Sequence, residues 1–169
     1  MEKEESSHMK NLILVRHAKA EKRSAEIDDY ERKLTKVGRN DSKEVAEYVA
    51  KLLNNVDLLV TSPALRAKET AEIFAKSFKS KPKITEEEIL YEGEVEEISE
   101  KIPNIIKGYN NVIIFGHNPT FDELAKKLTG DDLHLRKAGV ICIEGESFDD
   151  ILSGKGKLKW MVDPKSLNS

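Results

Sequence analysis

A three-layer α/β/α sandwich around a mostly parallel central sheet is the fold this sequence predicts, on three observations. Short apolar runs alternate with amphipathic stretches at helical spacing along nearly the whole chain, which is the signature of successive strand–helix–strand units. The runs NLILV (11–15) and NVIIFG (111–116) read as buried strands. The 169 residues suffice for one domain with a real core, and residues 10–167 are read as that single domain, preceded by a disordered tail over 1–9.

The elements follow in order. After the strand at 11–15, residues 35–53 predict a helix, with Val37, Val45, Val49, Leu52 and Leu53 at helical spacings and Thr35 as its N-cap. Residues 56–62 predict the second strand. Residues 63–78 predict a helix whose first turn suits Pro63. A weaker strand is expected over 83–90. Residues 94–108 have helical spacing, which Pro103 is expected to break or kink. The strand at 111–116 leads into a helix over 118–130 that ends at Gly130. Two late strands, 139–146 and 157–162, are expected to be neighbours.

Composition removes several functional classes. The net charge is −3, which supplies no electrostatic reason to bind nucleic acid or a membrane surface. No apolar run approaches the roughly 20 residues of a membrane span. The opening MEKEESSHM is polar and acidic, without an apolar signal core, and His8 within it is expected to have no role. One cysteine, Cys142, cannot form an intrachain disulfide, so a reducing, cytoplasmic setting is expected. It lies in an apolar strand and reads as a small buried hydrophobe.

Three strand ends carry the chemistry. The first runs into Arg16 and His17, the second into TSPALRAKET with Arg66, and the fourth into GHNPT with His117. Taken alone, a His or Arg at a strand end is commonly a surface or capping residue. In a parallel sheet, however, these ends share one edge, where binding sites lie. Arg16, His17, Arg66 and His117 are therefore expected in one crevice. Two guanidinium forks match a tetrahedral oxyanion, and two imidazoles can serve as nucleophile, acid or donor. No GxxxxGK[ST] loop points to a nucleoside triphosphate. No HExxH or CxxC spacing points to a metal, so no cofactor is expected.

VRHAKA (15–20) resembles the signature of the histidine phosphatase superfamily, with Ala18 where Gly is usual, a swap seen in its small SixA-type members. DYERKLTKVG (29–38) is similar to that subgroup's second motif, with Lys33 in place of Pro. TSPALRAKET (61–70) and FGHNP (115–119) resemble two further motifs. The resemblance implies the phosphoglycerate mutase-like version of the predicted fold. It implies a phosphatase that works through a phosphohistidine intermediate on His17, with the other imidazole nitrogen held as a donor, and with Arg16, Arg66 and His117 on the phosphoryl oxygens. Arg32 is either a further phosphate ligand or a surface residue. Larger members carry a Glu after the third strand. The matching place makes Glu92 the candidate general acid, unless it is one more charge of the acidic run EEEILYEGEVEE. Asp29 is the other candidate, or it orients Arg32.

Larger relatives insert segments that cover the pocket. About eighteen residues separate His17 from Thr35, so an open, shallow pocket is expected, suited to a phosphorylated residue on another protein. The implied substrate is protein phosphohistidine. The alternatives are small phosphate esters, or a non-catalytic phosphate-binding module.

Overall fold

The computed structural model describes residues 9–168. Apart from Met9, the expected tail lies outside them, as does His8. The sheet contains β1 (Lys10–Arg16), β2 (Leu58–Thr61), β3 (Lys83–Glu86), β4 (Asn111–Gly116), β5 (Val140–Gly145) and β6 (Lys157–Val162), in the spatial order β3-β2-β4-β1-β5-β6. β3, β2, β4 and β1 pair in parallel. β5 runs antiparallel to both β1 and β6, so the two late strands are neighbours, as expected.

The helices cover both faces. Leu12, Leu14, Leu58, Val60, Val112 and Ile114 face one core cluster, which α4 (Val95–Ile106) and α5 (Thr120–Thr129) close. Ile13, Val15, Leu59, Ile113 and Phe115 face the other, under α1 (Lys36–Leu52) and α2 (Leu65–Ser77). Alternate side chains thus serve two cores, which is why the central strands read as continuous apolar runs. Cys142 is fully buried in the second cluster.

Local chemistry explains the boundaries. Thr35 caps α1, its hydroxyl accepting from the Gly38 N–H at 3.0 Å. Gly130 ends α5 at φ 83°, the left-handed value that glycine adopts without strain. The third strand is shorter than expected. It stops at Glu86, and 89–92 form a helical turn, α3 (Ile89–Glu92), that buries Leu90. Pro103 does not break α4. The cost of an interior proline is about 3 kcal/mol. Ile98, Ile102 and Ile106 are all buried along one stripe, and each such side chain contributes about 1.5–3 kcal/mol. The Glu97 carboxylate also accepts from the Glu94 N–H at the start of that helix. Between β5 and β6 the chain makes two helical turns, Phe148–Asp150 and Ile151–Lys155, that the hydrophobic pattern does not predict. The chain closes with the one-turn helix α6 (Pro164–Leu167).

The segment from 17 to 35 decides the shape of the site. It doubles back on itself: Glu21 N–H donates to Lys33 O at 2.8 Å and Thr35 N–H to Lys19 O at 2.9 Å. Gly38 permits this closeness, because a Cβ there would lie 2.1 Å from Lys19 O. Gly38→Ala is therefore expected to destabilise the fold by about 1–3 kcal/mol, against the roughly 1 kcal/mol that Ala gains over Gly in an exposed helix. Denaturant unfolding checks the sign, and a midpoint that rises would contradict it.

Candidate active site

Parallel pairing sets Arg16 opposite Gly116 and Thr61 opposite Phe115. The residues that follow β1, β2 and β4 therefore emerge together. The His17 and His117 rings lie 5.2 Å apart, centre to centre. Arg16, His17, Arg66 and His117 line one cleft of about 480 Å3, together with Arg32, Asp29, Arg23, Tyr91, Asn118 and Lys137. The four residues expected to converge do so.

Backbone bonds lock the walls. His17 N–H donates to Gly116 O at 3.1 Å, and Ala138 N–H donates to Arg16 O at 3.1 Å. Ala18 N–H donates to Thr70 Oγ1 at 3.2 Å, and the Thr70 hydroxyl donates to Arg66 O at 2.7 Å. The end of β1 and the first turn of α2 are thus tied through one buried threonine. Asn118 caps α5, accepting from the Asp122 N–H at 3.1 Å, and its amide donates to Leu135 O at 3.0 Å.

His17 is held in one state. Its Nδ1 lies 2.8 Å from Ala18 O. A carbonyl only accepts, so we assign the proton to Nδ1 and the lone pair to Nε2. Burial disfavours the imidazolium, and His117, Arg66 and Arg16 add to this against the opposing Ala18 bond, so the His17 pKa falls to about 3. Burial first, and then Arg66, lower His117 to about 4. Ser62 Oγ accepts from the Ala64 N–H at 3.2 Å and sits 2.8 Å from His117 Nε2. A hydroxyl can donate or accept at that nitrogen; we assign its proton to Nε2, which leaves His117 an Nδ1–H donor for an anion in the cleft.

Asp29 is the electrostatic hub. Arg66 donates to its backbone carbonyl at 2.7 Å and to Oδ2 at 3.1 Å, Arg32 to Oδ1 at 3.0 Å, and the Tyr91 hydroxyl to Oδ2 at 2.7 Å. Burial alone would favour the acid form. The Tyr91 bond and the two guanidinium groups outweigh it and hold the carboxyl well below its ordinary range. Asp29 is accordingly an anchored carboxylate. The same hydrogen bond raises the Tyr91 pKa, with burial adding to it. Arg32 also donates to Glu21 O at 2.8 Å and is only 11% exposed along its side chain, so it is not a free surface residue.

Two guanidinium atoms, Arg16 Nε and Arg66 Nε, are buried without an acceptor among the described residues. Arg16 spends Nη1 on Leu135 O at 3.0 Å. A buried unpaired donor costs about 1–3 kcal/mol. Among the described residues, no group of three or more His, Cys, Asp or Glu side chains could hold a metal ion.

Glu92 does not reach the cleft. It is exposed and lines a separate cavity with Glu88, Ile89, Gly93, Glu97 and Lys101. In the helical turn at 89–92, neighbours point about 100° apart, and it is Tyr91 that faces inward. Its ring stacks on Tyr30 at 4.3 Å and meets His117 edge-on at 5.6 Å. Tyr91 and the Ser62 bond to His117 escaped the sequence reading. His134 is an exposed loop residue paired with Asp122 at 2.7 Å.

The sequence profile of the histidine phosphatase superfamily (branch 1) matches residues 12–112. An uncharacterised chloroplastic protein of Arabidopsis thaliana is 28% identical over 186 residues, covering 95% of this chain and 81% of that one. An uncharacterised protein of Picosynechococcus sp. is 30% identical over 140 residues, covering 77% and 82%. In structure the chain is similar to the protein histidine phosphatase SixA complexed with tungstate, with a TM-score of 0.80 at 22% identity, covering 93% of this chain and 99% of that one.

Two outcomes test the site. Tyr91→Phe is expected to lower kcat/KM for an aryl phosphate about fivefold, the loss of roughly 1 kcal/mol of hydrogen bonding that aligns Asp29 and Arg66, while Glu92→Gln leaves it unchanged. The second outcome concerns pH. Both folded imidazoles titrate below the unfolded value of 6.5, at about 3 and about 4. The unfolded chain therefore binds more protons between these values, and stability is lost as pH falls from about 6.5 towards 4. After correction for substrate ionisation, kcat/KM is expected to show no acid limb near 6.5. A limb there would mean that His17 is not held neutral by burial.

Proposed function

The chain belongs to the histidine phosphatase superfamily, branch 1, and on that premise we propose that this phosphatase is a metal-independent protein phosphohistidine phosphatase in which His17 carries the phosphoryl group between two displacements. The observation that carries the reading is His17 itself. Its proton is on the nitrogen bonded to Ala18 O, and Nε2 keeps its lone pair at neutral pH.

In the first step, Nε2 forms a bond to phosphorus as the bond to the leaving group breaks, the leaving group taking the electron pair. In the second, water attacks phosphorus, the N–P bond breaks, the pair returns to Nε2 and the water proton leaves with inorganic phosphate or solvent. Arg16, Arg66 and the Nδ1–H of His117 receive the charge on the phosphoryl oxygens, work a metal does elsewhere. Arg32 acts through Asp29, which orients Arg66.

Proton supply supports this substrate class. Asp29 is held ionised and the Tyr91 hydroxyl is made a weaker acid. Glu92 lines another cavity. Among the described residues, the cleft thus offers no carboxylic acid to an alkoxide leaving group. A phosphohistidine ring already protonated at its second nitrogen departs as neutral imidazole and needs none. The likeness to a solved protein histidine phosphatase supports this choice. The unpaired, buried Cys142 suits a reducing compartment such as the cytoplasm. Among the described residues, no helix is long and apolar enough to cross a membrane.

Turnover of a phosphohistidine carrier protein in the presence of a chelator, abolished in His17→Ala, is the expected result, with faster release from phosphohistidine than from alkyl phosphates. Wild-type protein inert towards both substrates overturns the enzyme reading in favour of a phosphate-binding module. Preference for the alkyl ester moves the assignment to small phosphomonoesters.

A further inference from the structure

The cleft holds more positive charge than one phosphoryl group needs. Arg16, Arg23, Arg32, Arg66 and Lys137 line it, against the single carboxylate of Asp29, and burial keeps both histidines neutral. This excess sits in a chain whose net charge is −3, so the surplus is local. A phosphoryl dianion bound between Arg16 and Arg66 leaves it only partly answered.

The surplus lies at Arg23 and Lys137. The Asp29 oxygens already accept from Arg66, Arg32 and Tyr91. Arg23 is a distant fourth partner, at 3.9 Å, with its side chain 82% exposed. Lys137 is exposed, and among the described residues its side chain has no ion pair or hydrogen bond. Asp122, the carboxylate acting on Arg16, gives its oxygens to His134 and the Leu135 N–H. The two cations are delivered by separate loops. Arg23 comes from the doubled-back segment after β1, and Lys137 from the turn before β5, which Ala138 ties to the β1 end. Cations that outnumber the carboxylates around a cleft raise the concentration of anionic ligands there.

We propose that Arg23 and Lys137 form a second anion subsite at the mouth of the cleft, which selects substrates carrying a further carboxylate or phosphate beside the transferred phosphoryl group. The subsite deepens the phosphohistidine reading, where the second anion is an acidic side chain flanking the modified histidine. In a small molecule the same chemistry is a second phosphate.

The test compares wild type with Arg23→Gln/Lys137→Gln, both positions being exposed and clear of the core. Three pairs of ligands are used: phenyl phosphate against 4-carboxyphenyl phosphate, phosphohistidine peptides with flanking Asp against Asn, and phosphate against pyrophosphate in calorimetric binding. The double variant is expected to lower the preference for the more highly charged member of each pair, read as kcat/KM for the substrates and as the binding constant for pyrophosphate, about fivefold, and added salt is expected to lower the wild-type preference in the same way. A shift confined to the peptides assigns the subsite to acidic protein segments, and one confined to pyrophosphate assigns it to small molecules. Equal losses on both members of every pair, or no loss on any, overturn the proposal. If phosphohistidine is not a substrate, the aryl and calorimetric arms still decide the subsite, so the two failures are distinguishable.

Discussion

The parallel pairing of β1 with β4, from Asn11 opposite Asn111 to Arg16 opposite Gly116, is the constraint from which the site follows. Residues a hundred positions apart become neighbours only in this register. A slip of one residue would exchange the two core faces of a strand buried on both sides, sending Leu12 and Leu14 towards α1 and α2. The burial that stabilises the sheet therefore also fixes the spacing of His17 and His117. The backbone bond from His17 to Gly116 O extends the ladder one step past the strand and carries that precision into the cleft.

Permanent charge stands beside neutral imidazoles in the cleft. Guanidinium groups stay protonated, so they can be part-buried only where acceptors meet them. Asp29 meets Arg66 and Arg32 at once, and Leu135 O meets Arg16. The same cations, together with burial, oppose protonation of both histidines. In the proposed mechanism this coupling is what makes a nucleophile of His17, because a protonated ring has no lone pair to offer. The doubled-back segment from 17 to 35, although short, supplies much of the cleft wall through Ala20, Arg23, Asp29 and Arg32.

Much of this was legible in advance. Apolar runs and helical periodicity located the strands at 11–15 and 111–116 and the helices that flank them, because a parallel sheet buried on both faces leaves a plain pattern. The convergence of Arg16, His17, Arg66 and His117 followed from strand direction alone. Less legible were the elements whose identity depends on what they pack against. The third strand gives way to a turn because Leu90 finds a place in the core. Pro103 stays helical because three isoleucines bury on its helix. Tyr91, not Glu92, faces the cleft, since a helical turn and a strand point the same residue in different directions.

What the sequence determined by itself was the architecture and the residues available for chemistry, since hydrophobic period and strand ends are local properties of the chain. Tertiary structure alone decided which proton sits where. The Nδ1–H of His17, the hydrogen bond from Ser62 to His117 and the ionised state of Asp29 all depend on distances between groups far apart in the chain, and protonation responds to burial and neighbouring charge, quantities that exist only once the chain has folded.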